Sequence, residues 1–165
     1  MDYASLIAAL TPAVDAAGSI ILDIKAKGPA SMTKSDGSPV TIADQKAENI
    51  LLAALADICP DIPVVSEENT DSHHLSAGQR FFLVDPLDGT KEFIRADDNG
   101  AFTVNIGLIE NGLPVMGMIY APPATPFIGG IKAAVHVAAR PHASPPSPCA
   151  ICQIAVRWPW PVPRI

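Results

Sequence analysis

Apolar residues at spacings of three and four open the chain, and Leu6, Leu10, Val14, Ala17, Ile21 and Ile24 fall on one helical face. Pro12 interrupts the run and leaves two readings open. Either the helix begins there, with Thr11 as N-cap and Pro12 at its first position, or it kinks. Residues 25–39, rich in Lys, Gly, Ser and Asp, read as a loop. A second amphipathic helix starts at Asp44 and buries Ala47, Ile50, Leu51, Ala54, Leu55 and Ile58, before Cys59-Pro60-Asp61 ends it. Two short apolar strands follow at 62–66 and 81–84, each running into acid. The polar stretch 69–78 between them reads as a surface loop, with His73-His74 facing solvent. Phe102, Val104, Ile106 and Leu108 then alternate with Thr103, Asn105 and Gly107, the period of a strand. Asn111-Gly112 is the preferred type I′ pair, and 115–120 is the returning strand. Two helices followed by mainly antiparallel strands predict an α+β layer architecture.

The acids at the strand ends carry the candidate chemistry. Glu67 and Glu68 follow the first strand, and Asp85 and Asp88 follow the second. If the two strands are neighbours, their ends bring these carboxylates together. Two such charges about 4 Å apart repel by roughly 4 kcal/mol at an effective dielectric of about 20. Lys91 is the one cation within these segments, so a hard divalent cation with oxygen ligands answers the requirement, Mg²⁺ foremost. In Asp85-Pro86-Leu87-Asp88-Gly89-Thr90, Pro86 sets the exit angle from the strand, and the Leu87 carbonyl is a third oxygen ligand. The amides of Gly89 and Thr90 suit a phosphate at a helix start. The Thr90 hydroxyl can pass a water's proton to a carboxylate, for which Asp44 is the candidate by type. Each element also has a plainer reading: Asp44 as a helix N-cap, Glu67-Glu68 as a solvated turn, and the two Asp residues as a chance spacing.

Composition sharpens the picture at the far end of the chain. The 165 residues are 48% hydrophobic and 17% charged, which excludes a disordered chain and leaves room for one domain and little more. The net charge of −6 argues against a nucleic-acid polymer as partner. No apolar run approaches about 18 residues, so no transmembrane segment is expected. The acidic start argues against a secretory signal. Three cysteines are too few for a disulfide scaffold, and a cytoplasmic address is the default; Cys149-x-x-Cys152 is half of a zinc signature and reads as accidental. All seventeen acids lie at or before Glu110, and no glycine occurs from Ile131 to Ile165, where seven prolines crowd the final 25 positions. The expected organisation is a phosphate-handling, metal-binding domain over 1–127 and a Pro-rich tail over 128–165.

The ordered set Ser38-Pro39-Val40-Thr41-x-Ala43-Asp44, Ser66-Glu67-Glu68 and Asp85-Pro86-Leu87-Asp88-Gly89-Thr90 resembles the Mg²⁺-dependent, Li⁺-inhibited phosphatases of the inositol monophosphatase superfamily. The continuation Lys91-Glu92-Phe93-Ile94, with Phe102-Thr103-Val104-Asn105-Ile106, is similar to the 3′(2′),5′-bisphosphate nucleotidase branch. The resemblance covers residues 1 to about 127 and implies the first part of a layered αβαβα sugar-phosphatase fold, a helix pair packed on a mainly antiparallel sheet, truncated. It implies that Glu67, Asp85 and the Leu87 carbonyl hold one Mg²⁺ and that Asp85 and Asp88 hold a second. It implies that Asp44 and Thr90 activate the attacking water, that Glu67, Leu87, Asp88, Gly89 and Thr90 line the phosphate, and that Asp36 assists a third metal. The implied substrate is a small phosphorylated nucleotide, 3′-phosphoadenosine 5′-phosphate, converted to AMP, a by-product clearance in sulfate assimilation. Inositol phosphate or another sugar phosphate is the alternative substrate, and a non-catalytic fragment the alternative to an enzyme. Relatives can also lie peripherally on the inner face of the cell membrane.

Where family members carry a Trp-Asp-x-Ala-Ala-Gly segment whose Asp completes the second metal site, this sequence has Trp158-Pro159 and Trp160-Pro161 and no acid. The tail is therefore expected to be out of frame or disordered, with a native Pro-rich extension as the alternative. The chain is expected to lack one metal ligand.

Overall fold

The computed structural model describes residues 2–28, 31–33, 39–74, 79–95 and 102–122. Expectations for Asp36, for Cys149 and Cys152, and for the tail from 128 onward lie outside the described residues.

Helix α1, Tyr3–Ala26, is capped by Asp2, whose Oδ1 accepts from the Ala4 amide at 3.1 Å. It does not begin at Pro12, one of the two readings left open, since Pro12 stands inside the helix. Pro12 and Ala8 are both exposed, so the carbonyl that loses its proline donor faces water. Leu6, Leu10, Val14, Ala17, Ile21 and Ile24 are all buried on either side of it, and burying both halves outweighs the missing bond. By length and composition alone α1 is apolar enough to cross a membrane, and in this fold its buried face packs on α2.

Strands β1, Ser31–Thr33, and β2, Pro39–Thr41, form a small antiparallel pair where a loop was expected. Three-residue strands leave too little sequence for a period to show. Helix α2, Ile42–Ile58, follows without a gap. The remaining strands, β3 Val64–Ser66, β4 Arg80–Asp88, β5 Thr103–Glu110 and β6 Leu113–Tyr120, make one mixed sheet in the order β3-β4-β5-β6. The β3–β4 pair is parallel and the others are antiparallel. Asn111 and Gly112 both take positive φ, 51° and 76°, as a type I′ turn between β5 and β6 requires.

Phe82, Val84, Val104, Ile106, Leu108, Met116 and Met118 join the buried faces of α1 and α2 in one core. Gly18 lets α1 settle on the last residue of β6. A Cβ there would stand 2.2 Å from Tyr120 Cε1, so the ring would have to move. Gly18→Ala should destabilise the chain by about 1–3 kcal/mol despite alanine's better helix propensity, read as a lowered urea midpoint at unchanged m.

Helix α3, Thr90–Ile94, is short and is held from outside. Lys25 Nζ donates to the carbonyls of Phe93 at 3.0 Å and Arg95 at 3.4 Å, and lies 5.5 Å from the centre of the Phe93 ring and 5.8 Å from that of Phe102. A cation at a helix C-terminus that also faces two rings fixes α3 to the end of α1.

Candidate active site

Parallel pairing decides where the acids meet. Because β3 and β4 run the same way, both reach their C-terminal ends on one side of the sheet. The Glu67 amide donates to the Val84 carbonyl at 3.0 Å, which sets Glu67 beside Asp85.

The segment Asp85-Pro86-Leu87-Asp88 is not the loop that the sequence suggests, since β4 continues through it to Asp88. Asp85 pairs with Asn105 and Asp88 with Thr103, so three steps along β4 match two along β5. This bulge has a chemical consequence. In a regular strand, residues three apart point to opposite faces, whereas the extra residue returns Asp88 to the face of Asp85. Pro86 falls within the bulge, where a strand tolerates a missing donor.

Asp85 is 7% exposed, and its Oδ1 accepts from the Leu87 amide at 3.2 Å. Burial first, then the charges of Glu67 and Asp88 and a hydrogen bond with Glu67, push its pKa up to about 9. Without a cation, the Asp85–Glu67 contact therefore holds a proton at neutral pH. Asp88 is exposed and acts on Asp85 through space. Among the described residues no three acid, His or Cys side chains already stand at metal-ligand spacing, so the carboxylate set is drawn together only in part. Beside Asp85, Asn105 is 3% exposed; its Nδ2 donates to Thr103 Oγ1 at 3.0 Å, and its Oδ1 has no hydrogen-bond partner among the described residues. An all-oxygen donor set, two acids in contact and an unanswered buried acceptor fit a hard, hydrated dication such as Mg²⁺.

Asp44 reaches the residues just past β4 from α2. The N-cap of α2 is Thr41, and Asp44 occupies the N3 position of a capping box, which corrects the reading of Asp44 as the cap itself. Its Oδ2 accepts from the Thr41 amide and the Thr41 hydroxyl, each at 2.7 Å. Its Oδ1 accepts from Thr90 Oγ1 at 3.2 Å across 46 residues of sequence. Asp44 is fully buried, and these donors are what make a carboxyl group tolerable there. Thr90 Oγ1 also lies 3.1 Å from the Leu87 carbonyl, so one hydroxyl proton has two acceptors to choose between. Gly89 precedes it with φ 92°, a left-handed conformation that turns the chain sharply from β4 into α3.

Three further groups have parts that the motifs do not assign. Thr41 orients Asp44, and the capping-box spacing to Asp44 was its signal. Glu48 is 9% exposed and accepts a hydrogen bond from the buried Ser66 hydroxyl, although glutamate within a helix ordinarily reads as solvent-facing. His73 is half-buried rather than solvent-facing, because Nε2 lies 2.8 Å from the Ser66 carbonyl, to which it donates. It belongs to a single 3-10 turn, Thr70–His74, inside the expected polar loop.

The profile of the inositol monophosphatase family matches residues 2–140, further than the point near 127 at which the sequence resemblance fades. The 3'(2'),5'-bisphosphate nucleotidase CysQ of Salmonella typhimurium is 56% identical over 90 residues, 54% of this chain and 36% of that protein. The chain thus spans about a third of the length of the curated relatives it matches. Among solved structures, CysQ from Bacteroides thetaiotaomicron is 45% identical with a TM-score of 0.57, covering 72% of this chain and 42% of that one. The extragenic suppressor protein suhB from Bartonella henselae is 30% identical with a TM-score of 0.60, covering 72% of this chain and 45% of that one.

Proposed function

This chain belongs to the inositol monophosphatase family, and on that premise we propose that it serves a Mg²⁺-dependent phosphomonoesterase acting on a 3′-phosphorylated nucleotide, 3′-phosphoadenosine 5′-phosphate, in the cytoplasm. Water and the monoester give AMP and inorganic phosphate. The observation that carries the reading is the hydrogen bond from Thr90 to the buried Asp44, set beside the acidic pair Glu67 and Asp85.

While the Thr90 hydroxyl donates to Asp44 Oδ1, its oxygen can still accept a hydrogen bond, and then the proton, from water. Asp44 then receives the threonine proton, so a weak alcohol works as a relay to a stronger base. The clamp of Thr41 on Oδ2 leaves Oδ1 turned to Thr90, which fixes the direction of that relay. Glu67, Asp85, Asp88 and the Leu87 carbonyl would hold Mg²⁺, which supplies charge stabilisation at phosphate oxygens and a more acidic water. The backbone from Leu87 to Thr90 lines the same place and would seat the phosphate.

Identity to named bisphosphate nucleotidases supports the nucleotide over a sugar phosphate. Phosphate release from 3′-phosphoadenosine 5′-phosphate and from inositol 1-phosphate, measured side by side with Mg²⁺, tests the choice. Preference for the nucleotide is expected. Preference for the inositol ester would overturn the substrate, and no release from either would overturn the activity.

A further inference from the structure

We propose that Glu48 is a positioning residue for Glu67, acting through Ser66, an inference that rests on the metal-binding reading of Glu67 above. Glu48 sits one turn beyond Asp44 on α2 and one turn before Leu51, on the buried stripe of the helix. A carboxylate on that stripe is desolvated and persists where a donor meets it. Here the donor is the Ser66 hydroxyl at the end of β3.

Ser66 is fully buried and is gripped at each of its polar atoms. Its amide donates to Ser72 Oγ at 3.0 Å, its carbonyl accepts from His73 Nε2 at 2.8 Å, and its hydroxyl donates to Glu48. Ser72 and His73 belong to the 3-10 turn that follows β3, so they hold Ser66 within its own loop. Glu48 ties that loop to α2. The next residue is Glu67, whose amide is already fixed to Val84.

Helix α2 therefore works as a ruler. Asp44 and Glu48 lie four residues apart on one face; the first holds Thr90 beyond β4, and the second holds Ser66 at the end of β3. The separation between the proton acceptor and the acidic pair is set by one rigid helical turn. Removing the Glu48 carboxylate frees the β3 end while leaving the Asp44–Thr90 bond in place.

The test uses the 165-residue chain with Glu48→Gln, Glu48→Ala, Ser66→Ala and the Glu48→Ala/Ser66→Ala double variant. Two readouts are taken: Mn²⁺ affinity from the free-ion electron paramagnetic resonance signal, and hydrogen exchange of the Glu67 amide. Glu48→Ala and Ser66→Ala should each weaken Mn²⁺ binding by about 10–100-fold. Glu48→Gln, which keeps an acceptor for Ser66, should stay within a few-fold of the parent. The double variant should be no worse than the weaker single, because both changes break one connection. Glu67 amide protection should fall in Glu48→Ala while that of Ile106 in β5 holds. Unchanged Mn²⁺ affinity in Glu48→Ala, or additive losses in the double variant, would overturn the proposal. If the parent chain binds no Mn²⁺, the metal reading of Glu67 fails, and the exchange data still decide. Loss of protection confined to 65–67 sustains the positioning role, and unchanged exchange sinks it. Should Glu48→Ala not fold, Glu48→Gln and Ser66→Ala carry the same comparison.

Discussion

Asp44→Asn should lower phosphate release by about 10²–10⁴-fold, the usual contribution of a positioned proton acceptor. The substitution keeps the shape of the side chain and changes which atoms can accept. Asp44 takes donors at both oxygens, two from Thr41 and one from Thr90. Asparagine offers one oxygen. If that oxygen stays with Thr41, the amide group faces Thr90 and reverses their hydrogen bond, so the relay has no base at its end. Capping should weaken as well, because two acceptor oxygens are replaced by one, and a loss of about 1–2 kcal/mol in stability is expected. Steady-state phosphate assays paired with thermal unfolding separate the two effects. Thr90→Ser, which retains the hydroxyl, should keep most of the rate. Activity within a few-fold of the parent in Asp44→Asn would remove Asp44 from the mechanism.

Asp85→Asn should do the opposite to stability. The Asp85 pKa is raised, by burial above all, from 3.8 to about 9 in the folded chain. A carboxyl raised in this way contributes its full stability below about pH 4, where it is protonated folded or unfolded. That contribution is lost as pH rises through the window from about 4 to about 9. At pH 7 the loss is on the order of 4 kcal/mol at most, from 1.36 kcal/mol per unit. Asparagine carries no such penalty, so the metal-free Asp85→Asn chain should melt several degrees above the parent at pH 8 and close to it at pH 4. Mg²⁺ should narrow the difference. A cation that binds only the folded parent adds about 2.7 kcal/mol at a hundred times its Kd, and the variant should gain almost nothing. Melting curves at pH 4 and pH 8, with Mg²⁺ or with EDTA, give all the comparisons. A parent chain whose stability rises between those pH values without metal would contradict the account.

The parts of this fold that sequence makes legible are those in which one local rule acts alone. The β5–β6 hairpin is announced by alternation along β5 and by Asn111-Gly112, whose positive φ values few other pairs accept. The stripes of α1 and α2 show because burial acts on every turn. Misreadings arise where tertiary packing overrides a local rule. Pro12 is a helix breaker by chemistry, yet the buried residues around it hold α1 continuous. Pro86 and Gly89 mark a turn by composition, whereas pairing with β5 carries the strand through Pro86 and leaves only Gly89 to make the turn. At the site, Asp44 and Thr90 could be matched by type, but their contact spans 46 residues and depends on how α2 meets β4. Glu48 was hidden for a related reason. Its position on the apolar stripe was legible from Asp44, Ala47, Leu51 and Leu55, and its buried partner was not.

The 46-residue gap between Asp44 and Thr90 also has a consequence in time. The β5–β6 hairpin closes through its own short turn, and its pairings are local in sequence. The Asp44–Thr90 bond requires that α2 be docked, that β4 find β3 in parallel, and that the bulge settle against β5. Long loops and parallel pairings are the slow steps of folding. The sheet should therefore gain amide protection in β5 and β6 first, and the hydroxyl of Thr90 should meet its acceptor among the last contacts formed. A chain halted partway would present an ordered hairpin with Thr90 not yet bonded to Asp44, so the forming of that bond would serve as a clock for the final docking event rather than for collapse.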